Sequence, residues 1–281
     1  MKKFTSFMSG CLVVIASVLT LSVYAETADN SQIYQLLDRS GTTRAIEGLP
    51  IQMQALGQQL ALTAKNPQEH QEFMTLFIDS LDTDRMLQQM LENIGNNMSS
   101  EDIEGVLQWL HTDIGERIVN AELKSTEPEF QQNFMLFMAE LQSSPPSDER
   151  KVAIMEFVEA SGMVDQGMNL ITGMVKNMFS VIKTKNSEDE ELTKNLDDQL
   201  ALMTKSMRPA FEQQMVLSSY YLYQDISNED LATYMTFFEQ PAGEKYLATM
   251  YDALGEALNT WGREMISQVV AQHDKTAENA E

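Results

Sequence analysis

The sequence predicts an all-α protein made of two tandem helical bundles of about five to six helices each. Apolar residues recur at three- and four-residue spacing through most of the chain, which is the helical period. No run shows sustained strand-like alternation separated by hairpin turns. A segment that begins at residue 98 recurs without gaps from residue 226, which indicates an internal duplication.

The first 25 residues have the layout of a secretory signal peptide. Lys2 and Lys3 precede an apolar stretch at 11–21, and Ala25 supplies a small residue at the expected cut. A retained membrane anchor is the alternative, but the apolar run is shorter than the roughly 20 residues that a spanning helix needs. Lipidation of Cys11 is rejected because the apolar run follows this residue. We therefore expect cleavage after Ala25 and a periplasmic location, with no membrane span in the mature protein.

Composition excludes several classes of site. Cys11 is the only cysteine, so the mature chain would have no disulfide, thiolate metal site or cysteine nucleophile. The formal net charge is −23, which would repel phosphate backbones and anionic lipid head groups. Hydrophobic residues make up 43% of the chain, enough for a buried core. We expect no nucleic-acid partner.

Eight segments outside the repeated motif also follow the helical period. They are predicted as helices over 51–64, 72–81, 85–94, 130–141, 152–160, 168–182, 192–207 and 209–223.

The two copies share both identities and apolar positions. Ser99, Glu101, Asp102, Gly115 and Glu116 recur as Ser227, Glu229, Asp230, Gly243 and Glu244. Upstream, "LDRSG" at 37–41 matches "VEASG" at 158–162. Paired prolines among polar residues at 143–149 are typical of a linker. The predicted organisation is a signal peptide at 1–25, repeat 1 at 26–142, the linker at 143–149, repeat 2 at 150–272 and a polar tail at 273–281.

Each copy of the motif predicts two helices joined by a corner. Ser99 and Ser227 are placed to cap the first helix, with Asp102 and its counterpart three residues later as in a capping box. In copy 2, Pro241 fits the first position of the next helix, where its missing N–H costs nothing. In copy 1, Thr112 takes the cap position instead.

Gly115 and Gly243 fall in the first turn of the second helix, where glycine costs about 0.5 to 1 kcal/mol relative to alanine. Close approach of a neighbouring helix or of the preceding aromatic residue would explain them. An anion-binding turn is the alternative, but a second glycine is missing and Glu239 and Glu244 flank the site. The structural motif comprises Trp109, Leu110, Gly115, Arg117, Phe237, Phe238, Pro241, Gly243 and Lys245.

The spacing of Phe238, Pro241, Gly243 and Lys245, after the capped "NEDL" start, resembles the exported bacterial proteins that share the domain of unknown function numbered 2059. That family often has serine where this chain has Gln240. Copy 1 departs further, with Asp113 in place of the proline. The match covers about thirty residues in each copy. The resemblance implies an all-helical exported protein, and it supplies no catalytic residues.

Candidates for catalysis and metal binding are few. His70, His111 and His273 lie in unrelated contexts, and no nucleophile elbow, His-Glu-x-x-His helix or phosphate loop is present. No catalytic, cofactor or metal residue is therefore proposed from the sequence.

Methionine is abundant, at 20 residues. Helical spacing places two thioethers on one face in four pairs, which suits core packing, Cu(I) ligation or an apolar groove. The pairs are Met86 with Met90, Met135 with Met138, Met174 with Met178, and Met203 with Met207. Core packing is favoured, because no Met-x-x-Met-x-Met tract or nearby histidine supports copper.

Four function classes follow from these observations. The first is a non-enzymatic envelope protein that binds another polypeptide, or a second copy of itself, through an apolar groove. The alternative is a carrier of a small apolar ligand or lipid held between helices. A hydrolase with scattered carboxylates and a Cu(I)-binding protein have the least support in the sequence. No cofactor is expected.

Overall fold

The computed structural model describes residues 28–61, 65–185 and 196–278, and within them it contains thirteen α-helices and no strand. This confirms the all-α prediction. The first eight are α1 (Asn30–Arg39), α2 (Thr42–Glu47), α3 (Leu49–Ala61), α4 (Pro67–Asp79), α5 (Thr83–Asn97), α6 (Ser100–Leu110), α7 (Asp113–Leu123) and α8 (Phe130–Ser143). A 3-10 turn (Lys124–Thr126) follows α7, and the rest are α9 (Asp148–Ala160), α10 (Met163–Lys185), α11 (Leu196–Leu222), α12 (Asn228–Phe238) and α13 (Pro241–Glu278). The predicted signal peptide lies outside the described residues.

Two sequence expectations need correction. Residues 192–195 lie outside the described part of the chain, and the rest of the two helices predicted over 192–207 and 209–223 forms one helix, α11, with Pro209 inside it. Proline removes one backbone hydrogen bond, to the carbonyl of Lys205. Both residues lie on the exposed side of α11, so water can reach that carbonyl. The first half also has eight α-helices where five to six were expected. Helix α2 has only six residues, too few to show a period, whereas Ile33, Leu36 and Leu37 of α1 follow the helical period and lie before the first segment predicted as a helix.

The helix starts of both corners are fixed by side-chain caps. Ser99 accepts a hydrogen bond from the backbone N–H of Asp102 at 3.1 Å, and the carboxylate of Asp102 accepts one from the N–H of Ser99 at 3.0 Å. This closes the predicted capping box. Ser227 and Thr112 cap α12 and α7 in the same way through their hydroxyl oxygens, and α13 begins at Pro241.

The glycines that the sequence alignment pairs upstream have the same backbone conformation. Gly41 has φ of 77° and Gly162 has φ of 63°, and no other described glycine has a positive φ. Glycine adopts this left-handed conformation without the strain that a side chain would add. Gly41 lies just after the end of α1, and Gly162 lies just after the end of α9, the first helix of each half.

A single buried cluster runs through both halves of the sequence. Ile33 and Ile103 from the first half lie in it with Ile154 and Leu231 from the second, and all four are fully buried. Helix α13 packs along α5, α6 and α10. The regions predicted as two bundles are therefore joined in one body through a shared core.

Contacts between helices occur in matching pairs. Helix α1 packs on α6 as α9 packs on α12, and α6 contacts α13 as α12 contacts α7. Helix α8 lies on α11, while the C-terminal part of α13 occupies the corresponding position on α5. This pairing is what an internal duplication would produce, and the duplication itself stays a prediction.

Candidate functional site

The two corners meet each other in the core. The ring of Trp109 stacks on that of Phe237, with 4.4 Å between centroids and 15° between planes, and also on Tyr234 at 4.8 Å. Trp109 and Phe237 occupy equivalent positions in the two copies. Contact between equivalent residues is characteristic of an arrangement around a two-fold axis. Leu110 and Phe238 are buried beside them.

The corner glycines are required by close backbone contacts. A Cβ atom on Gly115 would overlap the carbonyl oxygen of Trp109, and one on Gly243 would overlap the carbonyl oxygen of Phe237. The sequence left two explanations for these glycines, the close approach of a neighbouring helix or of the preceding aromatic residue. The structure supports the second, and the close contact is with the backbone of that aromatic residue.

The charged and surface residues of the motif are spread out. Nη1 of Arg117 lies 3.0 Å from a carboxylate oxygen of Asp230, which joins α7 to the start of α12. This pair lowers the pKa of the Asp230 carboxyl, chiefly through the hydrogen bond from Arg117. Lys245 and Pro241 are exposed. The motif therefore assembles a structural crossing and does not gather a reactive set.

A polar cluster of two buried tyrosines and a half-buried glutamate was not evident from the sequence. The hydroxyl of Tyr223 donates to Oε1 of Glu122 at 2.8 Å, and that of Tyr234 donates to the same oxygen at 3.1 Å. Burial raises the pKa of the Glu122 carboxyl, partly offset by these two hydrogen bonds. Burial and the nearby Glu122 charge raise the pKa of both tyrosines well above 10. The tyrosines therefore stay protonated as donors and tie α7 to the second half.

A groove with a mainly apolar lining lies between α9, α10 and α11, and we call it the α9 groove. Its volume is about 920 Å³. Its apolar lining comprises Val152, Met155, Val158, Val164, Val216 and Leu217. Val152 and Met155 keep 53% and 60% of their surface exposed, although both are large apolar residues.

Helix α9 is apolar on two sides, which explains this groove. Ile154, Phe157 and Val158 are buried in the core, with 5% or less of their surface exposed. Val152 and Met155 point from the other side of the helix into the groove. A surface helix ordinarily has one apolar face, so a second one that no described residue covers indicates a contact surface.

The rim of the α9 groove is acidic. Glu156, Glu159 and Glu212 line it, and none of them pairs with a cation in the described part of the chain. Asp165 also lines it and pairs with Arg208. Three uncompensated carboxylates around an apolar floor give the groove a negative potential.

A second groove lies at the equivalent place in the first half, between α1 and α5, with a volume of about 860 Å³. Tyr34, 63% exposed, lines it at the position equivalent to Met155 when Gly41 is aligned with Gly162. Asp84 also lines it, and when residue 98 is aligned with residue 226 it is equivalent to Glu212 of the α9 groove. The lining of this second groove is more polar than that of the α9 groove, since Gln88 stands where the second half has Val216.

The predicted methionine pairs separate into core and surface. Met86 and Met90 are buried, at 2% and 1% exposed, whereas Met135 and Met207 are 68% and 40% exposed. Met138, Met174 and Met203 are half-buried, and the side chain of Met178 lies outside the described residues. The helical period therefore located core methionines correctly in α5 but not in α8 or at Met207.

Two of the three histidines bind backbone carbonyls. A ring nitrogen of His70 donates to the carbonyl oxygen of Gly57 at 2.9 Å, and Nδ1 of His111 donates to that of Leu107 at 2.6 Å. The side chain of His273 lies outside the described residues. Across the described ranges, no group of three or more His, Cys, Asp or Glu side chains is arranged to hold a metal ion.

No described helix combines the length and the hydropathy that crossing a membrane requires. Comparison of the chain with protein-family models, curated proteins and solved structures gave no match. The resemblance to the 2059 domain family therefore stays a prediction.

Proposed function

We propose that this chain is an exported, non-enzymatic protein that binds another polypeptide in the α9 groove. The bound segment would be amphipathic, with apolar side chains on one side and lysines or arginines flanking them. The observation that carries this proposal is the second apolar side of α9, where Val152 and Met155 remain more than half exposed above a groove of about 920 Å³. The N-terminal pattern of Lys2, Lys3 and the apolar stretch supports export.

Charge favours a basic partner over a second copy of this chain. Glu156, Glu159 and Glu212 on the rim have no cation paired with them in the described part of the chain, and the formal net charge of the whole chain is −23. Two copies would repel each other, whereas a basic segment would be attracted and oriented by the rim.

The expected affinity is moderate. Fully burying a valine or methionine side chain contributes about 1.5–3 kcal/mol. Val152 and Met155 are already partly buried, so covering both would contribute about 2–4 kcal/mol, before the electrostatic attraction of the rim. These values suit a reversible complex that weakens as the salt concentration rises.

Fluorescence anisotropy tests the proposal with two labelled synthetic helical peptides of 14 residues. The first has leucines on one face and lysines on the other, and the second has glutamates in place of the lysines. We expect the lysine peptide to bind the wild-type protein and the glutamate peptide not to bind. Met155→Asp should weaken binding about tenfold, which corresponds to about 1.4 kcal/mol.

Leu202→Asp is the matched control, because Leu202 is 68% exposed and lies outside the groove lining. Its affinity for the lysine peptide should equal that of the wild type. Equal binding of both peptides, or equal loss in the two variants, would refute the groove as the binding surface. Competitive displacement of the peptide by oleate would instead support the carrier alternative.

A further inference from the structure

A separate polar pocket lies between α5, α10 and α13, where the two halves meet. Its volume is about 550 Å³, within the 300–1,000 Å³ range of small-molecule sites. Such sites are usually mostly apolar, but this one is lined mainly by amide and charged side chains. We call it the amide pocket, and its main polar residues are Gln89, Asn93, Asn96, Asn97, Asn259 and Arg263.

Part of the lining is held in place by buried hydrogen bonds. Asn93 is only 8% exposed, and its Nδ2 donates to Oε2 of Glu256 at 2.8 Å. Nδ2 of Asn97 donates to the backbone carbonyl of Asn93, also at 2.8 Å. The first bond joins α5 to α13 and fixes the orientation of the Asn93 amide and the Glu256 carboxylate at the pocket wall, whereas the second lies within α5.

Other polar groups that line the pocket are left without protein partners. The amides of Gln89, Asn96 and Asn259 have no hydrogen-bond partner in the described part of the chain. Arg263 pairs with no described carboxylate and makes one long contact, 3.4 Å from its Nη2 to the hydroxyl of Thr260. Donors and acceptors thus converge on the same space.

The fold does not require this polarity. Extending the alignment of residue 98 with 226 places Tyr221 of α11 at the position of Asn93, and Leu217 at that of Gln89. There the corresponding helix, α8, packs on α11 through aromatic rings, with Phe130 and Phe134 at 5.5 and 5.8 Å from Tyr221. The same helix pair can therefore be joined by aromatic packing, so the amides of Gln89 and Asn93 need another explanation.

We propose that the amide pocket binds a neutral saccharide. A planar amide presents a donor and an acceptor side by side, and each hydroxyl of a sugar can both donate and accept, so neighbouring hydroxyls match the amides of Asn96 and Asn259. The Arg263 guanidinium adds donors, and the carboxylates of Glu92 and Glu256 add acceptors. With one cation and two carboxylates, the lining disfavours an anionic ligand.

Saturation-transfer NMR and isothermal titration calorimetry test this with two probes, maltose and N,N′-diacetylchitobiose, on the full chain. We expect at least one of them to bind. Asn96→Leu and Asn259→Leu keep the side-chain volume but remove the amide, and each should weaken binding about tenfold. Asn120→Leu is the control: this residue is exposed on α7, outside the pocket, and its substitution should leave binding unchanged.

Three results would overturn the proposal. The first is that neither saccharide binds. The second is that binding is unchanged in both pocket variants, which would place the sugar elsewhere. The third is that the dipeptide glycylglycine binds more tightly than either sugar, which would assign the pocket to peptide backbone. Far-UV circular dichroism of each variant checks that it is folded, so that a loss of binding can be attributed to the missing amide and not to unfolding.

Discussion

Replacing Gly243 by alanine should destabilise the protein, although a glycine-to-alanine change in a helix ordinarily stabilises it by about 0.5–1 kcal/mol. The added Cβ would overlap the carbonyl oxygen of Phe237 and would lie 2.7 Å from its carbonyl carbon. These atoms belong to the backbone and cannot rotate away. The corner between α12 and α13 would have to open, which would disturb the stacking of Phe237 on Trp109.

The expected size of the effect follows from overpacking, which typically costs about 1–3 kcal/mol. Because the overlap is with backbone atoms, we expect a net loss of about 2 kcal/mol in the free energy of unfolding. A change of 1 kcal/mol shifts Tm by about 2–4 °C in a domain of this size class, so Tm should fall by about 4–8 °C.

Gly262→Ala is the matched control in the same helix. There a Cβ atom would lie 3.5 Å from Cγ of Met174, an ordinary contact, so the substitution should stabilise the protein by about 0.5–1 kcal/mol. Urea and thermal unfolding followed by circular dichroism measure both variants. If Gly243→Ala matched or exceeded the wild type in stability, the close-contact account of the corner would be refuted.

Two further predictions concern the contacts that join the halves. Burial raises the pKa of Glu122, so the folded protein holds this proton more tightly than the unfolded chain, and stability falls as the pH rises from about 4.5. Glu122→Gln should remove this fall. The urea midpoint of the variant, relative to that of the wild type, should therefore rise between pH 4 and pH 8. If the difference between the two midpoints stayed constant over this range, burial of the Glu122 charge would be contradicted. Arg117→Ala should change stability by less than about 1 kcal/mol, because Arg117 is half exposed in its pair with Asp230. A larger loss in urea unfolding would show that this pair holds the halves together.

Local signals in the sequence identified the fold class and several helix ends. Ser99, Thr112, Ser227 and Pro241 are short-range signals, since each acts on backbone groups within three or four residues. Periodicity also located most helices, with boundaries that differ by a few residues. The helix predicted over 85–94, for example, extends over Thr83–Asn97.

Features that depend on distant contacts could not be predicted. Glu122 is one of 42 acidic residues, and its burial depends on Tyr223 and Tyr234, which lie 101 and 112 residues later in the chain. Pro209 was expected to interrupt α11, but a continuous helix accommodates it at an exposed position. Periodicity could not distinguish buried Met90 from exposed Met135, because both positions follow the same spacing.

The grooves were foreseen only as a class of site. A groove was expected from the number of methionines, but its position required the packing of α9 against α10 and α11. One sequence signal could have located it: Val152, Ile154, Met155, Phe157 and Val158 are too many apolar residues for one side of a helix. The amide pocket had a weaker signal in "NIGNN" at 93–97.

Methyl NMR of protein labelled with ¹³C at its methionine methyl groups tests the proposed function most directly. Met155 lies in the α9 groove and is 60% exposed, whereas Met135 on α8 is 68% exposed outside it. Met155→Leu and Met135→Leu assign the two signals. Titration with the lysine peptide should shift the Met155 signal and leave the Met135 signal in place. An unmoved Met155 signal at saturating peptide would contradict binding in the α9 groove.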